Sequence, residues 1–120
     1  MANAEDIERL VQAELGRIAD GEIVKAIVPL LVGPRLEDRP WDYGPDETYP
    51  CWIVLEHPPS NTCIAYCEEG FGPRCPWGLL FLSGRHLSMG MDSGWFRTLE
   101  DAFRDSRACD LPSPPGHEVA

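Results

Sequence analysis

The chain reads as an α+β domain: an antiparallel sheet of about four strands, at 51–57, 62–68, 78–83 and 86–91, with an N-terminal and a C-terminal helix packed on one face. Three observations point there. Apolar residues recur at helix spacing near both ends of the chain. Between them lie short runs of strand-forming residues bounded by Gly, Pro, Ser and Asn. The links between those runs are too short for the crossover a parallel pair needs. At 120 residues the chain suits one core and not two. We take 1–108 as a single domain and 109–120, with its prolines, as a mobile tail.

The first helix is expected over 4–20. Asn3 is placed to cap it, and Glu5 and Asp6 sit where the helix dipole favours anions. Ile7, Leu10, Val11, Leu15 and Ile18 form its apolar face, and Gly21 is placed to end it. The run Glu22 to Val32 is apolar on all sides; Pro29 argues for a short helix to about Val28 and an extended exit. Residues 33–50, GPRLEDRPWDYGPDETYP, hold four prolines, two glycines and five acids, and read as a long loop. The strand-like runs follow, joined by PPSN, by the EGFGPRCPW loop and by a tight turn near Ser83 and Gly84. After the turn DSG, Thr98 caps a last helix over 98–106, with Leu99, Ala102, Phe103 and Ser106 along one face.

The charge balance excludes several function classes. Ten basic residues stand against twenty acidic ones, a net charge of −10. The excess occurs in both halves, five against eleven up to Pro50 and five against nine beyond it. Such a field repels phosphate backbones and anionic lipid, so neither nucleic acid nor membrane is expected as a partner, whereas a basic protein is drawn in. The start MANAEDIERL has no signal-peptide character and no run is long enough for a membrane span, so the protein is expected in the cytoplasm. The five cysteines are then expected as free thiols.

Catalytic signatures are missing. No GxSxG, HExxH or phosphate-binding glycine loop occurs, and Glu68 and Glu69, being adjacent, point to opposite faces of a strand. An enzyme is therefore not expected, nor a cofactor. The metal question turns on register. Cys63 and Cys67 share a face of their strand. If PPSN is a four-residue hairpin loop, His57 pairs with Thr62, Glu56 with Cys63 and Trp52 with Cys67, leaving Cys51 and His57 on the other face. A five-residue loop sets His57 against Cys63 and would make His57, Cys63 and Cys67 a small-molecule or metal site, the alternative reading of the chain. We take the four-residue loop, and no metal is expected. The spacing also lacks the Cys-x2-Cys knuckle of structural zinc.

Two segments remain as a candidate binding rim. In 37–47 these are Trp41, Asp42, Tyr43, Asp46 and Glu47; in 68–77 they are Glu68, Glu69, Phe71, Arg74 and Trp77. Rigid aromatics flanked by charge suit a protein interface. The small acidic layout, with its N-terminal helix, short meander and the ending DSGWFRTLEDAFRDS, resembles the immunity proteins of bacterial polymorphic toxin systems. The resemblance implies a cytoplasmic inhibitor that binds a basic partner such as a cognate toxin and blocks it. It carries over no individual site residue.

Overall fold

Asn3 opens the first helix, α1, Ala4–Arg17, through a reciprocal cap: its side chain accepts from the Asp6 N–H at 3.0 Å, and the Asp6 carboxylate accepts from the Asn3 N–H at 3.2 Å. The computed structural model that shows this describes residues 3–41, 44–68, 74–82, 94–106 and 108–109, with backbone alone at 40, 41 and 44–47. The helix ends three residues short of the expected 20, where Ile18 turns extended. Gly21 does not end it. Asp20 instead caps a second helix, α2, Gly21–Ile27, by accepting from the Glu22 N–H at 3.0 Å, so Gly21 becomes its first residue. A 3-10 turn, Val28–Leu30, takes Pro29 near its start, where a missing N–H costs nothing, and the chain leaves extended.

The expected long loop at 33–50 is corrected to two paired strands. They are β1, Leu31–Trp41, and β2, Gly44–His57, antiparallel from Leu31↔Leu55 to Trp41↔Gly44. The prolines that argued for a loop sit where a ladder tolerates them. Pro34 falls in a register break between Leu31 and Arg35. β1 lies at the sheet edge, which leaves Pro40 an unpaired side. Pro45 and Pro50 lie on the part of β2 that no third strand joins, because β3, Thr62–Tyr66, pairs only with Trp52–His57.

The sheet continues with β4, Trp77–Phe81, and β5, Gly94–Phe96, in the order β1-β2-β3-β4-β5, every neighbour antiparallel. This is the α+β class the sequence indicated, with five strands in the described residues where about four were expected. The expected strand at 86–91 lies outside those residues. β5 occupies a stretch read as the turn DSG and the approach to the last helix. The C-terminal helix α3, Leu99–Asp105, is capped by Thr98, whose hydroxyl accepts from the Asp101 N–H at 3.0 Å.

The PPSN link has four residues, with a 3-10 turn at Pro58–Ser60 and Asn61 left-handed at φ 57°. It delivers the expected pairs His57↔Thr62 and Glu56↔Cys63. One step further the register shifts: Leu55 faces Ile64 but Ile53 faces Ala65. Val54 is thus an extra residue, a bulge, and Trp52 meets Tyr66 rather than Cys67.

The bulge divides the sheet residues between two cores. Val54 and Leu55, neighbours in sequence, both join the helix-side core with Ile64 and Trp77, against Ile7 and Val11 of α1, Ile23 and Ile27 of α2, and Leu99, Ala102 and Phe103 of α3. The helices therefore pack on one face, as the sequence indicated. Cys51, Ile53, Cys63, Ala65, Cys67 and Leu80 make the second core on the opposite face, flanked by Val32, Tyr49, Leu82 and Trp95. There the Trp95 ring lies so close to Gly78 that an added Cβ would sit 2.7 Å from it.

One polar residue is built into the helix-side packing. Glu14 faces inward on α1, 9% exposed, and its Oε1 accepts from the buried Leu99 N–H at 2.8 Å, so α1 caps the start of α3. Leu10, expected on the apolar face, is instead 37% exposed. Glu14→Ala orphans that buried N–H and should cost about 1–3 kcal/mol of unfolding free energy. Glu14→Gln, which keeps an acceptor, should retain most of it. Equal urea midpoints for wild type and Glu14→Ala would contradict this.

Candidate binding surface

The β1–β2 hairpin is longer than the strands beside it. Its outermost described pair is Trp41↔Gly44, and a second register break falls between Pro40↔Thr48 and Trp41↔Gly44. The segment 37–47 is therefore a hairpin end with an acidic and aromatic sequence. Its side chains Trp41, Asp42, Tyr43, Asp46 and Glu47 lie outside the described residues, as do Glu69 and Phe71.

What holds the hairpin is a buried cation. Arg39 is 2% exposed. Its Nη1 donates to the Phe81 carbonyl of β4 at 2.9 Å, although β2 and β3 lie between β1 and β4 in the sheet. The sheet must coil for that contact to form, which makes the face of the second core concave and lays the hairpin across it. The remaining edge of the guanidinium meets Glu37, with Nε and Nη2 at 3.0 and 2.9 Å from Oε1. One charge-assisted hydrogen bond, from Nε, and the ion-pair contact of Nη2 with the same carboxylate oxygen help offset the desolvation of the cation.

The ion pairs continue outward along the same face. Arg35 binds the other Glu37 oxygen at 2.9 Å and Glu56 of β2 at 2.8 Å. These carboxylates raise the Arg35 pKa, Glu56 contributing most. For Glu37 burial pushes the carboxyl upward, but the hydrogen bond from Arg35 and the charge of Arg39 outweigh it and hold the group below its ordinary value of 4.5.

The remaining rim residues separate. Glu68 is exposed and accepts from the Tyr66 hydroxyl at 2.9 Å; burial, then this carboxylate, raise the Tyr66 pKa. Arg74 is exposed. Trp77 is 3% exposed in the helix-side core, with its ring edge-on to Tyr66 at 4.9 Å. Its place opposite Tyr66 and Phe96 makes it a core residue, so it drops out of the rim. Sequence reasoning missed Arg39 altogether, because it lay in a stretch read as loop.

The alternative cysteine and histidine site does not assemble. His57 faces Thr62, and its Nδ1 lies 2.7 Å from the Ser60 Oγ, away from the face that carries Cys63 and Cys67. Cys51, expected opposite those two, joins them, because the Val54 bulge turns it over. All five cysteines are free, and the described residues contain no group of three His, Cys, Asp or Glu placed to hold a metal. A cleft of about 210 Å³ lies between α1 and the start of β1, lined by Glu8, Gln12 and Val32–Pro34. No described helix is long and apolar enough to cross a membrane. No protein-family model, curated protein or solved structure matches the chain.

The depressed Glu37 pKa fixes a pH dependence. The folded state binds its proton less readily than the unfolded chain, so this contribution to stability is present above the ordinary glutamate value and lost as pH falls through the lower folded one. Wild type should lose stability on acidification below about pH 4.5, and Glu37→Gln should show a shallower slope there. Denaturant midpoints measured across that range would contradict this if the two slopes coincided.

Proposed function

We propose that the chain is a small acidic binding protein, an immunity-type inhibitor that sequesters a basic protein such as a toxin through the hairpin end at 37–47 and the segment starting at Glu68. The observation that carries this reading is the hairpin itself. A sequence of acids and aromatics sits at the closed end of two strands whose position is fixed by the buried Arg39 clamp, and preorganised segments bind at lower entropic cost than free loops. The net charge of −10 supports it, and among the described residues Glu5, Glu8, Asp20, Glu22, Asp38, Glu68, Asp101 and Asp105 are exposed. Long-range attraction of this sort speeds encounter, while buried aromatic anchors slow release.

The test searches the genes neighbouring this one for a product with a basic toxin domain and pairs that product with the chain. Co-expression should restore growth, and binding should weaken steeply with salt. Charge reversal at Asp42, Asp46, Glu47, Glu68 and Glu69 together should slow association at least about tenfold and flatten the salt dependence. Truncation of Trp41, Tyr43 or Phe71 to Ala should mainly speed dissociation. Unchanged association by the charge-reversed protein, with its fold intact by circular dichroism, would overturn the reading.

A further inference from the structure

The second core contains a chemical feature that its role in packing does not require. Cys51 and Cys67 lie one step beyond Trp52↔Tyr66, the last β2–β3 pair, and the same register carried on one step sets them opposite each other; both belong to the second core, 0% and 1% exposed. Residues opposite each other in an antiparallel pair have Cα atoms about 4.5–5.5 Å apart, within the range a disulfide spans. The two thiols already share a hydrogen bond. Cys63 is on the same face but four residues from Cys67 along the strand, about 13 Å in an extended chain and out of bonding reach. It pairs instead with Glu56.

We propose that Cys51 and Cys67 are a redox-responsive pair that closes into a cross-strand disulfide under peroxide, with Cys63 left reduced. The sulfur of one residue, as thiolate, attacks a peroxide oxygen; the O–O bond breaks, a sulfenic acid forms, and the first water leaves. The other sulfur then attacks the sulfenic sulfur, the S–S bond forms, and the second water departs. The pair gives up two electrons and two protons, and hydrogen peroxide is reduced to water.

The surroundings set the rate. The thiol hydrogen bond with Cys67, followed by burial, raises the Cys51 pKa, while the charge of the buried Arg39 works against that rise. Burial likewise lifts Cys63 to about 11, again opposed first by Arg39. The pair is thus slow to react but carries its own cation to stabilise a thiolate once formed. Closure would join the root of the acidic hairpin, which begins just before Cys51, to the root of the segment that starts at Glu68. The inference concerns the thiols alone and stands whether or not those segments bind a toxin.

The experiment treats the full chain, in a Cys75→Ser/Cys109→Ser background, with hydrogen peroxide. The protein is then alkylated under denaturing conditions and digested at glutamates and at Tyr66, which separates Cys63 from Cys67. The expected result is one alkylated cysteine, a mass loss of about 2 Da before alkylation, and a linked peptide joining Cys51 to Cys67 that dithiothreitol releases. Cys63→Ser should form the same link in equal yield, and Cys51→Ser should form none. Full alkylation of Cys51 and Cys67 after peroxide would overturn the proposal, as would their conversion to sulfinic acids without a link, or a link through Cys63. If Cys51→Ser does not fold, the Cys63→Ser protein decides, because loss of its link would be equally fatal.

Discussion

The extra residue at Val54 is the constraint on which the rest of the structure depends. A strand without it would alternate strictly, and Cys51 would face the helices while Trp52 faced the second core. With it, Val54 and Leu55 both pack under the helices, and Ile53 and Cys51 fall to the opposite face. A single unpaired residue therefore fixes the membership of both cores. It also sharpens the twist of β2, which runs on as one arm of the long hairpin. The concave face and the inward position of the hairpin follow from that coiling.

Concavity alone would not hold a two-stranded arm, since an isolated hairpin is marginal in water. The Arg39 clamp supplies the missing tie, because its guanidinium spans from β1 to a β4 carbonyl while Glu37 neutralises it. Ion pairs of the helices, such as Arg9 with Glu5 and Lys25 with Glu22, are largely exposed and contribute little. The helical layer depends instead on its apolar faces and on the Glu14 cap of α3. Fold and candidate interface thus meet at one buried cation, and a partner recognised by the hairpin would bind a surface already fixed in place.

Much of this was legible in the sequence, for local reasons. Asn3 and Thr98 announce their helices through capping chemistry that depends on three or four neighbouring residues. The four-residue PPSN link set the register at His57 and Cys63 for the same reason. What was not legible is tertiary. The prolines of 33–50 argue for a loop until the sheet edge supplies unpaired positions for them. A bulge leaves no mark in the run CWIVL, whose residues suit either face, so strict alternation puts Cys51 on the wrong one. Glu14 and Arg39 are charged residues in buried places, and each has a partner more than forty positions away that the local sequence does not reveal. Trp77 carried an interface composition but serves the core.

The account rests on the register that Val54 imposes, and nuclear Overhauser contacts between β2 and β3 measure it directly. The structure predicts cross-strand contacts from Trp52 to Tyr66 and from Cys51 to Cys67. Contacts from Trp52 to Cys67, with Val54 paired in the ladder, would mean an unbroken strand. Both the division of the cores and the facing thiols would then be wrong.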